Sequence, residues 1–595
     1  MPDKVVETLT GGLNLLAHPT QLKDDQCQRL ENMEVRPTNI GNNLTYLALT
    51  SRFSYSRLHT DNLSMVPHNL IEYVVRGIGS VVYASGTAGS LNDASFSGAF
   101  TGTAINGSLI VRIDSVGGAG IADQIEWELN GVIQASGIAI TGALQSLGQG
   151  ISVDFGTTGS TTHHVLADAW TINVSENGTR FLVTGGYDST GGAFVIKSLR
   201  DGQTTTSVVS SQVTANTSVC SFLLFNNYLY YTNGGVAWRR WNGLNDVASG
   251  FTTITRYATQ HKNKAIYLYD VTNNRPNRLW VSNTGDAEVV PAANNFAVGD
   301  YSDGLVIGID QLERLLLVKE KSVHAFYMAP TLADSSILRG DEWKGSISPL
   351  GSVWGPFGTY LYSNTAGIQS VSGLYVQPAV LQLYNQLKGF RNQRAAMGFN
   401  EDQVMISTLS SSGAARNNRV YTLDLLDDEN PRIYQWNAAL TLFCQNHGTL
   451  TFNNKMKAIE DDGTNRFIVE LDQTASVAEA SFDCIAQTKD FVITGEDLIP
   501  RTQLVDHVIL DFIAPNIVNT VTIEVLADGA TVQSATFTPT VTGFNRRVFK
   551  FSRHICRGYR ISFRISNTQS ATNALRFAIL RLGYNYDIEQ RVDQL

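Results

Sequence analysis

Residues 180–199 read "RFLVTGGYDSTGGAFVIKSL". Two apolar runs with β-branched and aromatic residues surround glycine pairs and a short polar segment. Such runs, bounded by Gly-Gly, Asn-Gly or Asp-Gly turns, are the signature of a β-hairpin. Six further stretches follow the same design: "FLLFNNYLYYTNGGVAWRRWNG" (222–243), "KNKAIYLYDVTNNRPNRLWVSN" (262–283), "LLLVKEKSVHAFYM" (315–328), "TYLYSNTAGIQSV" (359–371), "QVMISTLSSSGAARNNRVYTLDL" (403–425) and "KMKAIEDDGTNRFIVEL" (455–471). Hairpins spaced by roughly 35 to 55 residues correspond to one four-stranded propeller blade per period. A single small sheet cannot cover both of its faces, whereas radial stacking covers them and leaves only short edges. The expected fold of residues 38–85 and 178–475 is therefore a β-propeller of six or seven irregular blades. No Gly-His or Trp-Asp dipeptide recurs at blade spacing, which sets it apart from the regular WD type.

The rest of the chain also reads as β structure. At 595 residues it is long enough for several domains. Charged residues make up only 16% and glycines number 51, a balance that favours strands and turns over helices. Residues 86–177 are richer in Gly and Thr and alternate cleanly ("IEWELNG", "ISVDFG", "AWTINV"). They are expected to form a β-sandwich inserted in a propeller loop, since loops accept insertions at small cost. Residues 476–595 carry longer, strictly alternating runs and predict a C-terminal β-sandwich. Residues 1–37 are left as an N-terminal arm. The best helical candidates are residues 378–399 and a short turn within 20–34.

The net charge of −9 gives no signature of a protein that wraps nucleic acid. Basic clusters are few: Arg239-Arg240, Arg546-Arg547 and the series Arg553, Arg557, Arg560, Arg564. An acidic balance suits a conduit through which DNA slides, because a lumen dense in Lys and Arg would hold phosphates by counterion release. Five cysteines (Cys27, Cys220, Cys444, Cys484, Cys556) lie far apart with no C-x-x-C pair, so reduced, buried thiols are expected. The opening "MPDKVVETLTGG" lacks the basic start and apolar core of a signal peptide. Synthesis in a cytoplasm is the corresponding expectation.

Signatures of catalysis are missing. There is no G-x-S-x-G, H-E-x-x-H, P-loop or EF-hand loop, and "RGIGSVV" lacks the third glycine of a dinucleotide fingerprint. The chain is expected not to be an enzyme and to need no cofactor or metal. Adjacent His163 and His164 would point to opposite faces of a strand and so not converge on an ion, which favours a surface turn. The acidic run "LDLLDDENPR", ending at Arg432, reads as a solvated turn rather than as a carboxylate pair for glycan hydrolysis. Tyr230, Tyr231, Trp238, Trp241, Trp280 and Trp436 are expected to pack between blades rather than stack on sugars or bases. Arg560 and Arg564, an even number apart, are placed on one strand face.

"GGLNLLAHPTQLKDDQCQRLENMEVRPTN", residues 11–39, closely resembles the start of the tail nozzle, or tail tubular, proteins that stabilise the tails of short-tailed bacteriophages. The matching residues are Gly11, Gly12, Leu13, Asn14, Pro19, Asn32, Val35, Arg36 and Pro37. Residues 86–177 also look like a β module common in phage structural proteins, with a departure at Ala167-Asp168. The resemblance implies a virion protein of the phage tail that assembles as a ring, usually a hexamer, below the tail adaptor. It would extend the double-stranded DNA channel, gate it without sequence-specific binding, and meet tail fibres or spikes and the host cell surface. In such an arm Gly11 and Gly12 would allow close backbone crossing. Leu13, Asn14, Leu15 and Leu16 would anchor it on a neighbouring subunit or the adaptor. A tail-associated protein that binds host-surface polysaccharide is the alternative reading, and a propeller glycosidase or lyase is a third.

Overall fold

The computed structural model describes the whole chain except residues 1–2, 7–8, 10–12, 14–18, 24–25, 40–44, 53, 76–80, 85–90, 99–106, 149, 159–162, 175–178, 214–218, 227, 244–245, 356–357, 364–366, 373–374, 380–386, 388–391, 401–402, 412–413, 415, 426–431, 445–454, 474–480, 495–499, 516–518, 571–575 and 589–595. Each of the seven predicted hairpins lies in its own four-stranded antiparallel sheet. The first strands of these sheets are Val66–Val75, Ser221–Phe225, Thr255–His261, Leu305–Asp310, Ser352–Gly355, Ala396–Asn400 and Leu440–Phe443. Contacts run from the first to the second, the second to the third and the third to the fourth of them, and again from the fifth to the sixth and the sixth to the seventh. The first strand of blade seven also meets that of blade one, and a single cavity is bordered by all seven. The architecture is a seven-bladed β-propeller.

Ring closure needs chain from both ends of the propeller. The outer strand of blade seven is Ser54–Arg57, paired with Arg466–Gln473. Around it, Arg57 Nε donates to Glu460 Oε2 at 2.7 Å, Tyr55 OH donates to Glu460 Oε1 at 3.1 Å, and the Arg57 guanidinium lies 4.0 Å from the Phe467 ring centre. A blade assembled from distant segments ties the circle shut, because opening it would expose a strand edge and a buried carboxylate together.

The glycine pair in the opening hairpin acts differently from expectation. Gly185 and Gly186 lie inside the strand Thr179–Asp188, and the turn is formed after Asp188. The pairing register with Val66–Val75 shifts between these two glycines. A Cβ on Gly186 would come within 2.0 Å of the Val66 carbonyl oxygen, and one on Gly185 within 2.5 Å of Cys220 Sγ in the next blade. These positions are small to permit close backbone and blade approach.

The inserted module leaves blade one between Val66–Val75 and Thr179–Asp188. Five strands, ordered Val132–Ala139, Gln124–Leu129, Gly107–Ser115, Ala169–Val174 and Val81–Ala84, pack on three others, Gln145–Gly148, Ile151–Phe155 and Ala94–Gly98. Leu109, Val111, Ile113, Val153, Phe155 and Trp170 fill the space between the layers.

The N-terminal segment is not a free arm. Asp3–Val6 pairs with Ala578–Ile588, and Met33–Asn39 and Thr45–Ser51 extend that same sheet, which also holds Gln503–Ala514 and Gly543–Lys550. Cys27–Glu31 joins the opposing sheet beside Ser481–Thr488, next to Arg560–Ser570 and Val521–Ala527. The start of the chain therefore completes the C-terminal sandwich. Among the described residues of 38–85, only Ser54–Arg57 and Val66–Val75 are propeller strands. The reason lies in burial: Leu9, Leu13, Leu30, Met33 and Val35 join one apolar core that runs from Phe512 and Phe563 of the sandwich to Tyr421 and Tyr434 of blade six. The short turn expected within 20–34 is a single 3-10 turn at Pro19–Gln21, and the described residues beyond it form the strands Cys27–Glu31 and Met33–Asn39. The helix expected at 378–399 is bounded by strand at both described ends, Tyr375–Pro378 and Ala396–Asn400, and its middle lies largely outside the described residues.

Candidate functional site

The axial cavity has a volume of 480 Å³. Its wall is mainly apolar because each first strand turns alternate side chains to the axis; Ile71, Phe222, Tyr257, Ile307, Val353 and Met397 are examples from six blades. At the rim stand exposed Leu312, whose φ is 63°, and exposed Trp354. Two polar groups of the wall link neighbouring blades. Asn69 Nδ2 donates to the Cys220 carbonyl at 3.0 Å, linking blades one and two, and Asp310 Oδ1 accepts from His261 Nδ1 at 2.9 Å, linking blades three and four.

This volume fits a small molecule, for which sites of roughly 300–1,000 Å³ are usual. It is too small to enclose a length of duplex DNA, whose two grooves alone are about 12 and 6 Å wide. Glycoside hydrolysis needs two carboxyl groups across the bond. Among the described lining residues, Asp310 is the one carboxylate. Burial pushes the Cys220 thiol well above its ordinary value and Tyr257 up to about 12, so both stay protonated. No activated nucleophile is assembled among these residues.

The remaining candidates divide into structural parts. Tyr230, Tyr231, Trp238, Trp241 and Trp436 are buried, and Trp280 packs on the core of blades two and three. Arg239 forks onto Asp246, and Arg240 reaches Glu288 Oε2 at 3.0 Å. Arg546 holds Asp511 with two bonds of 2.6 and 2.7 Å, Arg553 meets Asp506, and Arg564 meets Glu524 at 3.1 Å while Arg560 shares its strand face. Asp424 of the acidic run is buried and accepts from Tyr434 OH at 3.0 Å, and the acids after it lie outside the described residues. All five cysteines are buried and unbonded to one another.

His163 and His164 lie in a loop, in keeping with the turn expected there, but His164 is buried and the two rings converge on one carboxylate. His163 Nδ1 is 2.9 Å from Asp123 Oδ1 and His164 Nδ1 is 2.9 Å from Asp123 Oδ2. The other His164 nitrogen, Nε2, is 3.0 Å from Asp93 Oδ1. Backbone N–H groups of Gly117 and His164 also donate to Asp123 at 2.8 Å each. Burial pushes Asp123 up, but these bonds outweigh it and hold the carboxyl below the usual aspartate range. The cluster pins the loops that follow Ser115 and Phe155. Among the described residues, no group of three or more His, Cys, Asp or Glu is placed to hold a metal ion. No described helix is long and apolar enough to cross a membrane.

Of the six residues proposed to contact a neighbour, Leu13 is buried within its own chain: its N–H donates to the Ile433 carbonyl of blade six at 2.9 Å. Gly11, Gly12, Asn14, Leu15 and Leu16 lie outside the described residues. The residue that sequence reasoning undervalued is Asn32. It is buried with a φ of 55°, and its Nδ2 donates to the Asp483 carbonyl at 2.7 Å. Its Oδ1 accepts from Arg52 Nε at 3.0 Å and from Asn437 N–H at 2.9 Å. Its own N–H donates to the Gln435 carbonyl at 2.7 Å. One side chain thus joins the sandwich to the end of blade six, with buried Arg52 stacked 4.1 Å from the Phe482 ring centre. The signal was an Asn between two short alternating runs, a residue that tolerates left-handed backbone.

The fold is thus a seven-bladed propeller carrying two β-sandwiches, with a small-molecule-sized axial cavity and a stitched interdomain joint. No protein-family model matches the chain, and no curated protein matches it. Similar solved structures include the computationally designed Ika8 protein, at 8% identity over 68% of this chain and 99% of that one, with a TM-score of 0.30. A leech intramolecular trans-sialidase is 10% identical over 71% of this chain and 98% of its own, with a TM-score of 0.26. An exo-beta-1,3-galactanase from Phanerochaete chrysosporium is 9% identical over 62% and 95%, with a TM-score of 0.20. Likeness at this level carries no argument about function.

Proposed function

We propose that this chain is a non-enzymatic structural protein of a short-tailed phage virion. In this reading copies assemble as a ring that forms the distal tail nozzle, extending and gating the DNA ejection channel below the adaptor. The observation that carries the proposal is the joint at Asn32. The segment that resembles phage nozzle proteins supplies Leu13, Asn32 and Val35 to the contact that makes propeller and sandwich one body. Such a joint transmits force between parts. The axial cavity is too small for DNA, so the channel would lie on the axis between copies, with a neutral or acidic lumen that duplex slides through. Adaptor, fibres or spikes and host surface would be met by the loops at the ends of the blades and sandwiches.

Electron micrographs of the purified full-length chain test this. Closed rings with a central opening wide enough for duplex are the expected class averages. Solid particles without an opening, or a lumen lined densely by Lys and Arg, would overturn it.

A further inference from the structure

Blades one, five, six and seven meet around a second, smaller cavity. Its wall takes His68 from blade one, Leu350 from the approach to blade five, Arg394 and Arg416 from blade six, and Leu442 and Asp461 from blade seven. Leu350 borders the axial cavity as well. The volume is about 30 Å³, room for an occupant the size of one or two water molecules.

The polar groups of this wall divide into two kinds. Arg416 donates to the Asp462 carbonyl, and Asp461 is engaged on both oxygens: Oδ1 accepts from Gly463 N–H at 2.8 Å and Oδ2 from Arg466 Nε at 3.1 Å. His68 and Arg394 differ. His68 is 6% exposed, yet among the described residues no group hydrogen-bonds to its ring, and none bonds or pairs with the Arg394 guanidinium. A buried imidazole costs stability unless an acceptor meets its N–H. The two side chains sense one another: burial, and then the charge of Arg394, push His68 down to about 3, so its ring is neutral and offers one N–H. Burial lowers the Arg394 guanidinium too, and the charges that reach it, Asp461 and Arg466, are already paired with each other. The positive charge of Arg394 is left without a balancing carboxylate.

We propose that this cavity is a binding site for a small inorganic anion of halide size, held between the Arg394 guanidinium and the His68 ring. An anion there accepts from both groups, answering the unpaired charge and the unmet N–H together. Phosphate and sulfate carry more oxygens than the space holds. The walls belong to four blades, among them seven and one, where the circle closes, so the occupied site ties the same seam as Ser54–Arg57. The site does not depend on assembly of copies into a ring.

The test is the thermal midpoint of the full-length chain in sodium chloride against sodium gluconate at equal ionic strength, gluconate being too bulky to enter. Chloride should raise the midpoint saturably, by about 2 °C once it stands a hundredfold above its dissociation constant. Arg394→Gln should abolish that rise and leave the midpoint in gluconate unchanged or higher, since no bond is lost with the charge. Broadening of the chloride NMR line, present with the parent and absent with the variant, reads binding directly. An equal midpoint of the parent in both salts, a chloride-dependent rise or line broadening that persists in Arg394→Gln, or a fall of more than about 1 °C for that variant in gluconate would overturn the site.

Discussion

Replacing Asn32 by alanine removes three side-chain hydrogen bonds from a buried joint. The two neutral ones, to the Asp483 carbonyl and from Asn437 N–H, contribute about 1 kcal/mol each, and the charge-assisted one from Arg52 Nε about 2. A Cβ-bearing residue other than Asn at a φ of 55° adds roughly 1 kcal/mol of backbone cost. The total is about 5 kcal/mol. Sandwich and propeller share one core, so they should unfold together. At about 2.1 cal/mol/K per residue, the unfolding entropy of 595 residues is roughly 1.2 kcal/mol/K. The midpoint should then fall by about 4 °C in differential scanning calorimetry. Asn32→Gly loses the same bonds but not the backbone allowance, and should recover about 1 kcal/mol relative to alanine. A shift below about 1 °C for alanine, or glycine worse than alanine, would refute the account of this joint.

Three further outcomes follow from other sites. Gly186→Ala should prevent correct pairing of the first two strands of blade one, because its Cβ would meet the Val66 carbonyl at 2.0 Å; loss of soluble folded protein is the expected result, checked by expression and circular dichroism. Burial, with Arg394 nearby, pushes His68 down to about 3, so the fold keeps it neutral while the unfolded chain takes up a proton below the ordinary value near 6.5. Stability should fall by up to about 1.4 kcal/mol per pH unit as pH drops through that range, and His68→Gln should flatten this slope in urea titrations. Asp123 is held below its ordinary range, so its contribution is present above about pH 3.9 and lost as pH falls through the lower folded value. Asp123→Asn sets an amide against donors at a cost of about 3 kcal/mol, and hydrogen exchange across Gly107–Ser115 should accelerate about a hundredfold at neutral pH.

The blades were legible because each is built from neighbours in sequence. Runs such as "LLLVK" and "SVHAFY" carry their own pairing information across a tight turn. The inserted module was legible for the same reason. What sequence could not supply were pairings between distant segments. Asp3–Val6 finds its partner in Ala578–Ile588, and no local pattern connects the two ends of the chain. The same holds for Ser54–Arg57, which closes blade seven. Gly185-Gly186 looked like a turn because glycine pairs serve turns and close approaches alike, and only the packed neighbour distinguishes them. The turn at His163 and His164 was legible, but the burial of His164 and the convergence of both rings on Asp123 were not, because that carboxylate lies forty residues away in sequence. The burial of Tyr230, Tyr231, Trp238 and Trp241, in contrast, agrees with the expected packing between blades.

The central claim is that copies of this wheel close into a pore, and the most direct measurement is the native mass of the assembled full-length protein. A single closed species, six subunit masses in the form the resemblance implies and unchanged on further concentration, is the predicted result. A mass of one subunit at all concentrations, or an open ladder growing without limit, would contradict it.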